Sequence, residues 1–112
     1  MRGGVSPTFV RIAMLHVVAV ITAKPGQRAV ILRELNAIVP LVREEEGCIE
    51  YGPALDHADS PQPYGADSLV VIEKWTSKAA LDRHLDAPPL RAFVAATEGA
   101  VAGLAVHVLN PA

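Results

Sequence analysis

The longest unbroken apolar pattern is MLHVVAVITA, residues 14–23. Its density of Val and Ile, without a regular polar alternation, predicts a strand covered on both faces. Lys24-Pro25-Gly26 ends it. From Gln27 to Glu46 the period changes: Ile31, Leu35, Ile38 and Val42 recur at spacings of four, three and four, with charged residues between them. That spacing predicts an amphipathic helix, kinked at Pro40 and closed by Gly47 in the left-handed region. A second strand is expected from Cys48 to about His57, with Gly52-Pro53 as a bulge or edge feature. ADSPQPYGADS, at 58–68, reads as a long connection. SLVVIEKW at 68–75 is a third strand, apolar on both faces apart from Glu73 and Lys74. Ser77 is placed to cap a second helix through about Asp86, which Ala87-Pro88-Pro89 should break. A short third helix from Leu90 to Glu98 and a last strand, LAVHVLN, complete the chain.

The order β-α-β-β-α-β is the split pattern of the ferredoxin-like α+β fold, with the helices on one face of a four-stranded antiparallel sheet. Such a sheet should be polar on its free face, yet strands one and three are apolar on both. Something must cover that face, and a second copy is the simplest candidate. A homodimer packed sheet to sheet is therefore expected, with each protomer keeping a cavity between its own sheet and helices.

Composition narrows the function classes. The chain has 112 residues, long enough to bury its own core, and residues 14–112 read as a single domain behind an extension at 1–13. Residues 1–13 carry arginines but neither a long apolar region nor a cleavage site, so a signal peptide is not expected. Apolar residues make up 51%, and the one cysteine rules out a disulfide scaffold and fits a reducing, cytoplasmic setting. The net charge of −2 comes from interspersed acidic and basic residues, which disfavours nucleic acid as a partner. The apolar runs are too short to cross a membrane.

Four histidines are present. His16, His57 and His107 are scattered without metal-ligand spacing, so no metal is expected. No glycine-rich phosphate loop and no Gly-x-Ser-x-Gly elbow occurs, which disfavours nucleotide cofactors and acyl-enzyme chemistry. His84 lies three residues after Leu81 and one before Leu85, at the border of its helix's apolar stripe. From spacing alone, a hydrogen-bonded boundary histidine and a cavity-lining one are both open.

The segments EEEGCIEY (44–51), Asp56 and DSLVVIEKWTSKAALDRHLDAPPL (67–90) together resemble the antibiotic biosynthesis monooxygenase family, in particular its quinol monooxygenase members. The likeness runs from Met14 to Pro111. It rests on a Gly-Cys corner followed by an aromatic, an acid-x-Trp at the end of strand three, and a His-Leu pair on the next helix. The resemblance implies a dimeric α+β barrel that oxidises aromatic polyketides or quinols with O₂, using neither metal nor flavin. One departure stands out: relatives often read Thr-Pro-His where this chain has Ala87-Pro88-Pro89, so a second cavity histidine is missing.

With the resemblance, His84 is expected to line the cavity as a general base, because imidazole titrates near neutrality and can accept a phenolic proton. Glu73 and Trp75 share one face of strand three with Leu69 and Val71. Glu73 is read either as a substrate contact or as a structural carboxylate at the dimer seam; Trp75 either lines the pocket or packs at the strand end. Tyr51 offers an apolar ring and a polar tip, suited to a flat aromatic ligand, with core packing as the alternative. Tyr64 closes over a ligand or lies exposed, and Phe93 floors the pocket. Cys48 has no partner and reads as a small buried hydrophobe.

The expected activity is a cofactor-independent monooxygenation of a quinol or polycyclic phenol. Two other readings remain: an isomerase or degradation enzyme for a small carbonyl signal, and a non-catalytic dimeric module binding a small hydrophobic ligand. Haem degradation, known for another branch of this fold, is disfavoured by Ala19 and Val94, where that branch would need an asparagine and a histidine.

Overall fold

The structure, a computed structural model, describes residues 14–112; the expected extension at 1–13 lies outside the described residues. Four strands and three helices follow in the order β1 (Leu15–Ala23), α1 (Arg28–Arg43), β2 (Cys48–Ala54), β3 (Ser68–Trp75), α2 (Lys78–Leu85), α3 (Pro88–Thr97) and β4 (Val101–Leu109). The strands form one antiparallel sheet in the order β2-β3-β1-β4, the ferredoxin-like arrangement.

Strand alternation divides β1 cleanly. Leu15, Val17, Ala19, Ile21 and Ala23 are buried under the helices. His16, Val18 and Val20 on the opposite face are half-buried, and Thr22 is exposed. The helix-side residues of β3 are Leu69, Val71, Glu73 and Trp75, placed by pairing Ile21 with Leu69, Ala19 with Val71, Val17 with Glu73 and Leu15 with Trp75. Against them α1 sets Ile31, Leu35, Ile38 and Val42, all buried, as their spacing predicts.

Several boundaries differ from expectation for identifiable reasons. Helix α1 runs through Pro40 and ends at Arg43; Glu44 to Gly47 form a separate turn in which Gly47 takes φ +85°. β2 ends at Ala54 rather than near His57. Its register shifts between Cys48 and Glu50, so the irregularity falls at Ile49 and not at Gly52-Pro53, which pair regularly with β3. Pro53 is tolerated because β2 is an edge strand. Ser77 caps α2 as expected, its Oγ accepting the Ala80 N–H at 3.1 Å. Pro88 and Pro89 do not merely stop α2. They occupy the first turn of α3, where a missing N–H costs nothing and the fixed φ suits a helix start. β4 begins three residues earlier than its apolar run suggests.

The 55–67 connection is held by Asp56, whose carboxylate accepts the N–H groups of Tyr64 and Gly65, each at 2.9 Å. These two bonds hold the Asp56 carboxyl below its ordinary range. Among the described residues, no helix is long and apolar enough to cross a membrane.

Candidate functional site

The helices do not cover the whole sheet. Between β1, β3 and β4 below and α2 and α3 above lies a cavity of about 400 Å³, walled by Val17, Ala19, Val71, Leu81, Phe93 and Val106 among others. Its volume falls in the range of small-molecule pockets. Three polar side chains, Tyr51, Glu73 and His84, reach this wall near one end. The pairings of Val17 with Glu73 and of Tyr51 with Glu73 set that end of the sheet.

His84 is only 2% exposed and enters from α2. Its ring stacks on Trp75 with centroids 4.7 Å apart and meets the Tyr51 ring edge-on at 5.3 Å. Nδ1 lies 2.9 Å from Oε1 of Glu45, in the turn after α1. A carboxylate oxygen accepts, so Nδ1 donates, and the lone pair of Nε2 is left for the cavity. The other carboxylate oxygen, Oε2 of Glu45, is buried without a hydrogen-bond partner among the described residues.

Glu45 was not apparent as a site residue from the sequence, where it is the middle member of a run of three glutamates. One signal was available. Acidic residues are disfavoured by the dipole at a helix C-terminus, so three of them just past α1 call for an external partner. His84 is the partner of Glu45, and Arg83 lies 3.5 Å from Glu46.

Glu73 is buried on the helix side of the sheet, and its Oε1 accepts the Trp75 indole N–H at 2.8 Å. Burial pushes its carboxyl above the ordinary value of 4.5, and the Trp75 bond and the nearby His84 only partly offset this. The folded state therefore holds the Glu73 proton more tightly than the unfolded chain does. The associated stability is fully present below about pH 4.5 and is lost as pH rises through the folded-state value. Glu73→Gln keeps the volume and an acceptor for Trp75 while removing the ionisation. Its stability relative to the parent should improve as pH rises above about 4.5 in urea unfolding. A difference independent of pH would contradict a buried, ionising Glu73.

Tyr51 is held by burial, and by the charges of Glu73 and Glu45, far above the ordinary phenol range, so it stays a neutral donor. Its backbone carbonyl accepts from Arg43 Nε at 3.0 Å, which ties β2 to the end of α1. Burial likewise raises the Cys48 thiol, with Glu45 and Glu73 adding to it, so this cysteine is not poised as a thiolate.

The structure thus brings His84, Tyr51, Glu73 and Phe93 onto one cavity wall. Trp75 is fully buried behind His84 and is not among the lining residues. Tyr64 does not join them. It is exposed and borders a separate groove under the 55–67 connection, with His57, Val70 and Ile72. Among the described residues no group of three His, Cys, Asp or Glu side chains is placed to hold a metal ion.

A single-sheet α+β chain with an apolar cavity and one buried imidazole defines a small-molecule-binding class of the ferredoxin-like fold. The chain belongs to the antibiotic biosynthesis monooxygenase family, whose profile matches residues 14–96. It is 41% identical over 102 residues to the "Probable quinol monooxygenase YgiN" of Escherichia coli K12, across 88% of this chain and 98% of that protein. Among solved structures, PA3566 from Pseudomonas aeruginosa superposes with a TM-score of 0.76 at 31% identity, covering 89% of this chain and 95% of the other. Rv0793 from Mycobacterium tuberculosis gives a TM-score of 0.76 at 28% identity, with 89% and 96% covered.

Proposed function

We propose that this chain oxidises a quinol or polycyclic phenol with O₂ through deprotonation of the substrate by His84. The observation that carries the reading is the Glu45-His84 pair: a carboxylate fixes Nδ1–H, which leaves Nε2 of this cavity-lining ring free to accept in a largely apolar cavity. Family membership and the name of the Escherichia coli relative point to the same chemistry.

In this mechanism the phenolic O–H gives its proton to Nε2, and Glu45 stabilises the imidazolium that results. The phenolate passes one electron to O₂, and the radical pair combines to form a ring C–O bond. The imidazolium returns its proton to the peroxide, and the hydroperoxide then loses its outer O–H together with the ring hydrogen as water, leaving a quinone and a neutral His84. Neutral Tyr51 donates a hydrogen bond to a substrate oxygen, and Glu73, when protonated, donates a second. Apolar walls exclude water and keep these interactions strong. Phe93 bears on the ring, while Trp75 acts on substrate only through the imidazole it supports.

The fold supports a homodimer through the free sheet face, where Val18, Val20 and Val70 are half-buried and Ile72 is exposed. A sedimentation mass of one chain would remove that part of the reading.

Oxygen consumption by metal-free protein with a panel of quinols, corrected for autoxidation, tests the activity. Uptake well above the control is expected; none with any quinol would overturn the assignment.

A further inference from the structure

The cavity is larger and more one-sided than a flat phenolic head requires. Strand pairing orders its floor in levels. Tyr51, Glu73, Val17 and Val108 lie at one level, Val71, Ala19 and Val106 at the next, Ile21 and Leu104 beyond, and Ala23 with Val101 last. From Val17 to Ile21 the floor runs about 13 Å at strand rise. All of the buried titratable groups sit at the first level. The rest of the lining is apolar, aliphatic apart from Phe93, until Thr97 and Glu98 at the end of α3, and the Thr97 hydroxyl is already bonded to the Phe93 carbonyl at 2.8 Å. Among the described residues no lysine or arginine lines the cavity, so its aliphatic part offers an anion no fixed cation.

Among the described residues the β4 edge of this floor is not covered, from Val108 at the first level to Leu104 at the third. Leu104 is 64% exposed, Val106 51% and Val94, facing them from α3, 57%. These side chains line the same cavity as His84 and form its solvent-open side, a trough between β4 and α3. Exposed aliphatics set in a cleft, continuous with a ligand pocket, are a binding surface rather than scattered surface residues.

We propose that the substrate is an amphiphile: a phenolic head seated at Tyr51, Glu73 and His84, with a hydrocarbon tail lying in the trough between β4 and α3 over Val94, Leu104 and Val106. This rests on the function proposed above for the head and adds the tail. It assigns β4 and α3 a role in selecting substrate by chain length, and it excludes tails bearing a carboxylate or phosphate.

Trp75 is the single tryptophan of the chain and stacks on His84, so its fluorescence reports occupancy without any turnover. The test is a titration of the full chain with 4-ethyl-, 4-butyl-, 4-hexyl- and 4-octylphenol. The dissociation constant should fall about fourfold per methylene, so roughly 10²-fold from ethyl to hexyl. Leu104→Gln and Val106→Thr, at exposed positions, should each cut the hexyl-to-ethyl affinity ratio about tenfold. A ratio near unity in the parent chain, or one unchanged in both variants, overturns the tail site. So does a flat series accompanied by a dimer that the same variants dissociate, because β4 would then belong to a second copy.

Oxygen uptake with unsubstituted and hexyl-substituted quinols keeps the two proposals separate. A steep affinity series without uptake leaves the amphiphile site standing and removes the oxidation. Uptake with short quinols and a flat series does the reverse.

Discussion

On the mechanism proposed above, replacing His84 with alanine should lower quinol-dependent oxygen uptake by about 10²-fold or more, the usual worth of a positioned general base. Among the described residues, the imidazole is the only nitrogen base lining the cavity. Of the other titratable groups at that end, Tyr51 holds its proton too tightly to accept another, and Glu73 is engaged through Oε1 by the Trp75 indole N–H. The substitution also strips Glu45 Oε1 of its partner when Oε2 already has none among the described residues, so some stability is lost as well. Circular dichroism must therefore accompany the assay. Glu45→Gln separates the two effects. It preserves volume and an acceptor for Nδ1 but removes the charge that stabilises the imidazolium, so kcat should fall by less than in His84→Ala and KM should hardly change. Turnover undiminished in His84→Ala would take the imidazole out of the mechanism.

Gly47→Ala destabilises the protein by about 3 kcal/mol or more. The residue has φ +85°, a conformation that any side chain resists. A Cβ there would also run into the Cβ of Ala80 and the Oγ1 of Thr76, where α2 starts against the corner. The Gly47 carbonyl accepts the Thr76 N–H at 2.8 Å, so the corner and the end of β3 have no freedom to separate. Gly26 provides the control. It has φ +77° but open space around it, so alanine there meets only the conformational cost of about 1 kcal/mol. Urea unfolding of the two variants isolates the packing contribution as their difference. Equal losses would show that the contact at Ala80 relaxes.

Hydrophobic periodicity made the element order legible because β1, β3 and α1 each carry a buried face. β3 and the α1 stripe fall where the pattern places them. The shared face of Leu69, Val71, Glu73 and Trp75 was readable too, but not which side of the sheet it occupied, since β3 is apolar on both. Only packing settled that, and it takes Glu73 away from the free sheet face where a dimer seam would form. The Pro88-Pro89 pair was legible as a break but not as a start, because proline stops one helix and begins another with the same chemistry. Glu45 escaped notice for a different reason. Its partner is 39 residues away, and no local pattern encodes a contact at that separation.

β1 lies inside the sheet, with β3 on one side and β4 on the other. It is the first of these four strands to be made, yet its second edge stays unpaired until β4, the last of the four, follows. Meanwhile a run of Val and Ile with open backbone groups is available to any neighbouring chain. Assembly is thus delayed by topology rather than by length: the earliest strand is the last to complete its ladder, and contacts of such wide separation fold slowly. The cost of delay falls on solubility during synthesis, and rapid production of this chain should therefore favour inclusion bodies over active protein.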